Sequence, residues 1–486
     1  MFQKDFQWGV DLKNFCFAED LAVLRLLGLK HAKIPLSWKA LFPGNDNTPD
    51  PEVIKYYKTL LSEMKKAGIA PVLILFDGEL PVAKENCGGF KNPDSPEWFA
   101  EYAGLMGKEF SEFCDTFITM SDPPAQSFLE AHHLLMAHGR AVQELRKAAS
   151  RPLSIGFSKS AAEVFPLSLS EEDVDAARDA CFAAREDAGG IAVNFSWFVD
   201  PIVFGSYPSE GLALFEEELP EIQEKEMELI RQPLDFLGLN MAHNANPVAN
   251  AAMLWVPKFV YEKYKLPLIV SCGGVLGLDC VSSDGQVHDA NRIALLEHYL
   301  GALQKACHEG IDLKGFFVDG FSRNRGLVFA DDEAKVRIVK DSAYWYADAA
   351  RSDGETLTVN RKARQILFLE ADENGDVDLT SWISEGVYAG FTLDELLHQM
   401  PELFGGVAQP PAVQEMITLE IEDDASFLQD QPYLYVTVAE GEGLLNGHLI
   451  RKGDHFILPS EFGVADFRGN LTLLVSARVV LDSCEP

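Results

Sequence analysis

The sequence predicts a closed barrel of eight parallel strands with crossover helices, followed by a smaller C-terminal α+β domain. Three observations predict it. Short apolar runs alternate with longer amphipathic stretches at least seven times before residue 350, the pattern of parallel strands joined by helices. The 486-residue chain exceeds the roughly 250 residues of such a barrel by enough for a second domain. From residue 353 on, seven Lys and Arg face 24 Asp and Glu. That shift places the domain boundary between 1–352 and 353–486.

In chain order, apolar runs of strand length are expected to form strands at Phe6–Val10, His31–Trp38, Ala70–Asp77, Thr116–Ser121, Leu153–Ser158, Leu234–Met241, Leu268–Cys272 and Gly315–Phe321. Helical patterns such as Pro51–Gly68 and Pro96–Glu112 lie between them. Arg351–Glu355 reads as a linker, Leu393–Met400 as a short helix, and the chain is β-rich from about 415, with strands at Leu434–Val438, Gly447–Ile450, His455–Leu458 and Leu471–Val475. In an eight-stranded barrel the chemistry sits where the strands end, so the last one or two residues of each are the ones to interrogate.

Composition narrows the function. With 47% hydrophobic residues the chain can bury a large core, and its net charge of −34 makes nucleic acid a poor partner. The opening residues lack a basic stretch followed by an apolar one, and no run of about 18 apolar residues occurs. The expectation is a soluble cytoplasmic protein, with no membrane partner. The eight cysteines are scattered without CxxC pairs, so they read as free thiols.

Several runs, in order, resemble glycoside hydrolase family 1, the β-glucosidase and 6-phospho-β-glucosidase family. Phe6-Gln7-Trp8-Gly9 is similar to its opening FxWG, and Ile34-Pro35-Leu36-Ser37-Trp38 through Leu41-Phe42-Pro43 to its SISW and RIFP segment. Ala131-His132-His133-Leu134-Leu135 with Ala137-His138 resembles its AxHHLLxAH helix. Trp197-Phe198-Val199-Asp200-Pro201 with Gly205 and Tyr207-Pro208 resembles WFxDPxxxGxYP, and Asp235–Asn240 resembles DFLGxN. Gly326-Leu327-Val328 and Ser342–Tyr346 are similar to the closing part. The resemblance spans roughly the first 350 residues and implies the (β/α)8 TIM barrel and an O-glycosyl hydrolase ancestry.

Carried over residue by residue, the family's catalytic positions are altered. The acid/base glutamate of TFNEP corresponds to Asp122 in Thr119-Met120-Ser121-Asp122-Pro123, and the nucleophilic glutamate of ITENG to Cys272 in Val270-Ser271-Cys272-Gly273-Gly274. The histidine of YHWDLP corresponds to Asp77, the strand-two arginine to Lys33, the tyrosine pair after DFLGxN to Met241 and Ala242, and the strand-eight tryptophan to Asp319. The sugar-binding loop beyond it is cut to Ser322-Arg323-Asn324-Arg325, and the insertion after strand one is missing at Phe15-Cys16-Phe17.

Retaining glycosidases need two carboxyl groups about 5 to 5.5 Å apart, one protonating the leaving oxygen and one attacking the anomeric carbon. Asp122 is one methylene shorter than the acid it replaces. A cysteine thiol ionises only near pH 8.5 unless a cation or helix N-terminus lowers it, and neighbouring aspartates oppose that. The resemblance therefore implies a carbohydrate-related pseudo-glycosidase that binds a sugar, a sugar phosphate or a partner. The alternative is an active glycosidase or other carbohydrate-active enzyme with a rebuilt site, using Asp122 with Cys272, Asp77 or a bound metal ion. In that version Asp77, Asp122 and Asp319 ring the mouth with Lys33 and Cys272 facing them, to hold a cation, an amine or a metal; the oxygen ligands suit Mg²⁺ or Ca²⁺, and adding Cys272 and His243 would tilt the set towards Zn²⁺. In the plainer version Lys33 neutralises an aspartate and the rest stay hydrated. No cofactor or metal is implied by the resemblance itself.

Other conspicuous residues have structural readings. His132, His133 and His138 are expected to pack, as are Trp197 and Tyr344-Trp345-Tyr346, and Arg323 and Arg325 to pair with the protein's own acids. Asp372–Asp378 imitates a calcium loop but places its glycine two positions early, so it reads as a solvated turn. The last part is similar to the cupin-like lobe of phosphomannose isomerases through Gly441-Glu442-Gly443, Asn446-Gly447 and Lys452–Pro459. The HxH and glutamate of a cupin metal site are not supplied by the lone His448 and His455. Such a jelly roll is compatible with a homo-oligomer.

Overall fold

A computed structural model of the chain describes residues 2–12, 17–44, 47–168, 170–184, 194–241, 247–273, 279, 281, 285–322, 325–331, 336–355, 357, 367–369, 415–421, 424–429, 433–445, 448–459 and 463–477. Ala242, His243, Gly274, Arg323, Asn324, the calcium-like segment 372–378 and the helix expected at 393–400 lie outside the described residues. The chain divides into two compact units. One comprises Met1–Asn244, Val248–Leu276 and Glu297–Glu355, the other Ala245–Pro247, Gly277–Leu296 and Thr356–Pro486.

In the first unit eight parallel strands close in sequence order: β1 (Gln7–Asp11), β2 (His31–Pro35), β3 (Ala70–Phe76), β4 (Thr116–Ser121), β5 (Ser154–Ser160), β6 (Phe236–Met241), β7 (Leu268–Cys272) and β8 (Leu313–Asp319), with β1 pairing β8. The lumen is filled by Val72, Ile74, Ile118, Phe236, Ile269 and Phe317, so the barrel is a packed core rather than a pore. Two large rings fit because their neighbours are glycines. A Cβ at Gly9 would stand 2.3 Å from the Phe317 ring, and one at Gly156 2.4 Å from Phe236. The helix Asp341–Arg351 seals the seam where the barrel closes. Its Tyr346 hydroxyl donates to the carbonyls of Gly9 (3.1 Å) and Phe316 (3.0 Å), one from each side of the β1–β8 join.

The histidines of the helix Phe128–Ala148 do pack, each with a hydrogen-bond partner. His132 Nδ1 meets the Tyr207 hydroxyl at 2.8 Å, His133 Nδ1 the Phe90 carbonyl at 2.8 Å, and His138 Nδ1 the Thr119 hydroxyl of β4 at 2.7 Å. Beside them Gly139 lets this helix touch the helix Glu224–Ile230, for a Cβ there would lie 2.1 Å from the Leu229 carbonyl oxygen. Alanine gains about 1 kcal/mol in helix propensity, but overpacking against backbone costs about 1–3 kcal/mol. Gly139→Ala is therefore expected to lower the thermal midpoint, and a raised midpoint would show that the two helices can part without cost.

The second unit is antiparallel. Its sheet runs β11 (Leu367–Leu369), β16 (His455–Pro459), β14 (Tyr433–Leu445), β17 (Gly463–Ala477), β12 (Glu415–Ile421), with β13 (Asp424–Gln429) on β17 and β15 (His448–Arg451) on β14. One face is apolar: Val436, Val438, Phe456, Leu458, Leu471, Leu473 and Val475 are all buried at alternate positions of their strands. Gly441 and Gly443, beyond the strand expected at Leu434–Val438, lie inside β14. They are glycines because β17 passes too close for a side chain, a Cβ at Gly441 standing 2.0 Å from the Asn470 carbonyl oxygen. In the first unit the strands β9 (Val328–Asp331) and β10 (Val336–Val339) form a separate hairpin. Among the described residues no helix is long and apolar enough to cross a membrane.

Candidate functional site

The C-terminal rim of the barrel gathers the altered positions, and strand register says which way each one faces. Gly238 pairs with Ile269, Asn240 with Ser271, and Ser271 with Phe317. Since Ile269 and Phe317 belong to the lumen core, alternation puts Asn240 and Ser271 on the lumen face and their successors Met241 and Cys272 on the opposite one. Both are buried, at 3% and 1% exposure. Cys272 thus does not face the aspartates as the sequence suggested. It sits behind the barrel wall near Tyr346, whose hydroxyl is pushed up chiefly by burial and further by the nearness of Cys272.

On the lumen face the thiol's neighbour takes its place. Lys33, 1% exposed, reaches from β2 to donate from Nζ to the Ser271 hydroxyl of β7, passing 5.1 Å from the centroid of the Phe317 ring. Asp11 stands between them in register, paired with Lys33 on one side and Asp319 on the other. Its Oδ1 is closed off from solvent with no hydrogen-bond partner among the described residues. Asp77 follows β3 and is exposed. Lys33 and Asp319 are therefore mouth residues by register, Asp77 lies on the surface of the rim, and Met241 and Cys272 belong to the wall.

Asp122 is held from four sides. It follows β4 with φ of +45°, a left-handed backbone that non-glycine residues adopt at a cost, fixed by its N–H donating to the Ser158 carbonyl at 3.0 Å. Its Oδ1 accepts from the Ser160 N–H (2.6 Å) and Lys159 Nζ (3.3 Å), its Oδ2 from the Ser160 hydroxyl (2.8 Å) and Asn240 Nδ2 (2.5 Å). Four donors use up the roughly four acceptor sites of a carboxylate. Asn240 is fixed in turn, its Oδ1 accepting from the Ser158 hydroxyl at 3.2 Å while Nδ2 also reaches the Ser121 hydroxyl at 3.2 Å. Burial alone would raise the Asp122 carboxyl. The Lys159 ammonium, then Asn240 and Ser160, overcome it, and the net displacement is downward.

Lys159 was not singled out from the sequence, which ended that strand at Ser158. β5 runs on to Ser160, and because Ser158 and Ser160 pair with Gly238 and Asn240, Lys159 points into the helix layer. There its Nζ lies 5.2 Å from the centroid of the Phe198 ring in the helix Phe195–Phe204, and its side chain is 4% exposed. Burial depresses its ammonium, an effect Asp122 offsets in part. The one signal that could have found it is a lysine closing an otherwise apolar and small-residue strand.

Such a carboxylate is poorly suited to donate a proton, since the acid of a glycosidase works by holding its proton near neutral pH. Among the described residues no group of three or more His, Cys, Asp or Glu is placed to hold a metal ion.

Comparison with known proteins agrees with the topology. The glycosyl hydrolase family 1 model matches residues 9–127, 119–253 and 243–355, and the mannose-6-phosphate isomerase cupin domain model matches residues 416–478. "Beta-glucosidase A" of Thermotoga maritima is 29% identical over 392 residues, 69% of this chain and 85% of that protein. "Beta-glucosidase A" of Acetivibrio thermocellus is 25% identical over 398 residues, 70% of this chain and 86% of that one. The solved β-glucosidase from Thermotoga maritima in complex with glucoimidazole superposes with a TM-score of 0.64 at 25% identity, covering 73% of this chain and 99% of that one. A barrel closed in sequence order and a family match across most of the chain's length lead to one assignment: this chain belongs to glycosyl hydrolase family 1, with a cupin domain at its C-terminal end.

Proposed function

We propose that the protein is a pseudo-glycosidase: a family 1 barrel that has given up retaining β-glycosidase chemistry and holds a sugar, sugar phosphate or partner at its mouth. The observation that carries this reading is the state of Asp122, ionised, saturated with four donors and paired with Lys159. With no carboxylate at the nucleophile position either, neither half of the double displacement has its group. Ser271 and Lys33 close off the lumen face where the nucleophile would stand.

The test pairs turnover with binding. Aryl β-glucosides and their 6-phosphates are expected to show no hydrolysis above that of a Cys272→Ala variant, while a sugar or sugar phosphate raises the thermal midpoint. Hydrolysis at ordinary enzyme rates of about 1 s⁻¹ or more, lost in Asp122→Asn, would instead establish a rebuilt catalytic site and overturn the proposal.

A further inference from the structure

Glu163 lies three residues past Ser160, the end of β5 and the residue that holds Asp122. It therefore belongs to the same C-terminal rim. Its neighbours in the chain, Ala161, Ala162, Val164 and Phe165, carry no side-chain donor. The side chain is partly buried, and its Oε1 is closed off from solvent without a hydrogen bond from any described residue. Buried carboxyl oxygens in folded proteins nearly always have a partner. Burial pushes this carboxyl above the usual carboxylate range.

The contrast with Asp122 is instructive. There a lysine, an amide, a hydroxyl and a backbone N–H satisfy the group completely. Here no described residue donates to Oε1. We propose that Glu163 is the ligand-recognising carboxylate of the barrel mouth and that it selects sugars carrying a protonated amine. This inference rests on the sugar-binding reading given above and narrows it. An ammonium supplies both the donor and the charge that Glu163 lacks, and a charge-assisted hydrogen bond is about twice as strong as a neutral one. The two rim lysines are occupied, Lys159 by Asp122 and Lys33 by Ser271, which leaves a phosphate poorly served on a chain of net charge −34.

Isothermal titration of the whole protein with D-glucosamine, D-glucose and D-glucose 6-phosphate in near-neutral buffer decides the matter. D-Glucosamine is expected to bind about tenfold more tightly than D-glucose, a step of about 1.4 kcal/mol, and D-glucose 6-phosphate more weakly than either. Glu163→Gln keeps the size and polarity of the side chain, so its thermal midpoint should hold while the glucosamine preference falls towards one. A preference that survives Glu163→Gln, or equal binding of D-glucosamine and D-glucose by the unaltered protein, overturns the role of Glu163 and leaves the sugar site standing. Binding of none of the three sugars overturns both.

Discussion

Cys272→Glu is expected to destabilise the protein by about 3–5 kcal/mol, the cost of a buried charge without a partner, and to restore no hydrolysis. In a family 1 barrel this substitution would ordinarily be read as repair of the nucleophile. Here register places residue 272 beside Met241 and Val318 on the wall side, at 1% exposure. A carboxylate introduced there meets apolar packing rather than the mouth. Ser271→Glu provides the control, because that side chain shares the lumen face with the Lys33 ammonium and should be tolerated far better. Thermal midpoints of the two variants would rank the faces directly. A well-folded Cys272→Glu protein that gains β-glucosidase activity when combined with Asp122→Glu would show that the strand turns at its last residue to present 272 to the lumen. Even then Lys159 has to be dealt with. A glutamate at 122 would still lie within reach of a buried ammonium that favours its ionised form, so Lys159→Leu should be needed before general-acid catalysis, worth roughly 10²–10⁴ in rate, can return.

The barrel could be read from sequence because most of its strands centre on short apolar runs. β2, β3, β4, β6 and β7 begin or end within a few residues of where those runs suggest. The same property hid the orientation of the rim. Parallel strands are buried on both faces and carry no polar alternation, so Leu268-Ile269-Val270-Ser271-Cys272 does not reveal whether Ser271 or Cys272 looks inward. Only pairing with β6 and β8 settles it. Lys159 was missed for a related reason: its partner Asp122 is 37 residues away on another strand, and a lysine at a strand end usually points to solvent. Beyond the strand expected at Leu434–Val438, Gly441 and Gly443 are glycines because β17 passes close by, and β14 runs on through them. Glu163 could not be found from sequence at all, since what distinguishes it is the absence of a donor around it in the fold.

His138 is expected to make the protein lose stability steadily as pH falls below about 6.5, the ordinary histidine value. Burial, with the Arg146 charge adding to it, pushes its imidazole down to about 3, and the surrounding hydrogen bonds leave little room for a second proton. The Thr119 hydroxyl lies 3.3 Å from the Gly156 carbonyl and 2.7 Å from His138 Nδ1. If the hydroxyl donates to the carbonyl, Nδ1–H donates to the hydroxyl, and Nε2 is left as a buried lone pair with no partner among the described residues. A second proton must go to Nε2, where no described residue offers an acceptor. Between pH 6.5 and 3 the unfolded chain therefore binds a proton that the folded one refuses, and stability falls by about 1.4 kcal/mol per unit. Going from pH 7 to 4.5 should cost about 3 kcal/mol through this residue. His138→Gln retains a polar contact to Thr119 and removes the titration, so its stability should fall less over the same interval. Asp122 also weakens the fold in acid, since its depressed carboxyl contributes above the ordinary carboxylate value and is lost as pH falls through the lower folded one. That loss is common to both proteins and cancels in the comparison. Denaturant midpoints at the two pH values test the difference, and equal losses in both proteins would remove His138 from the account. The contact matters beyond stability, for Thr119 lies in β4, three residues before Asp122, so a proton forced onto His138 would loosen the strand that positions the rim's most constrained carboxylate.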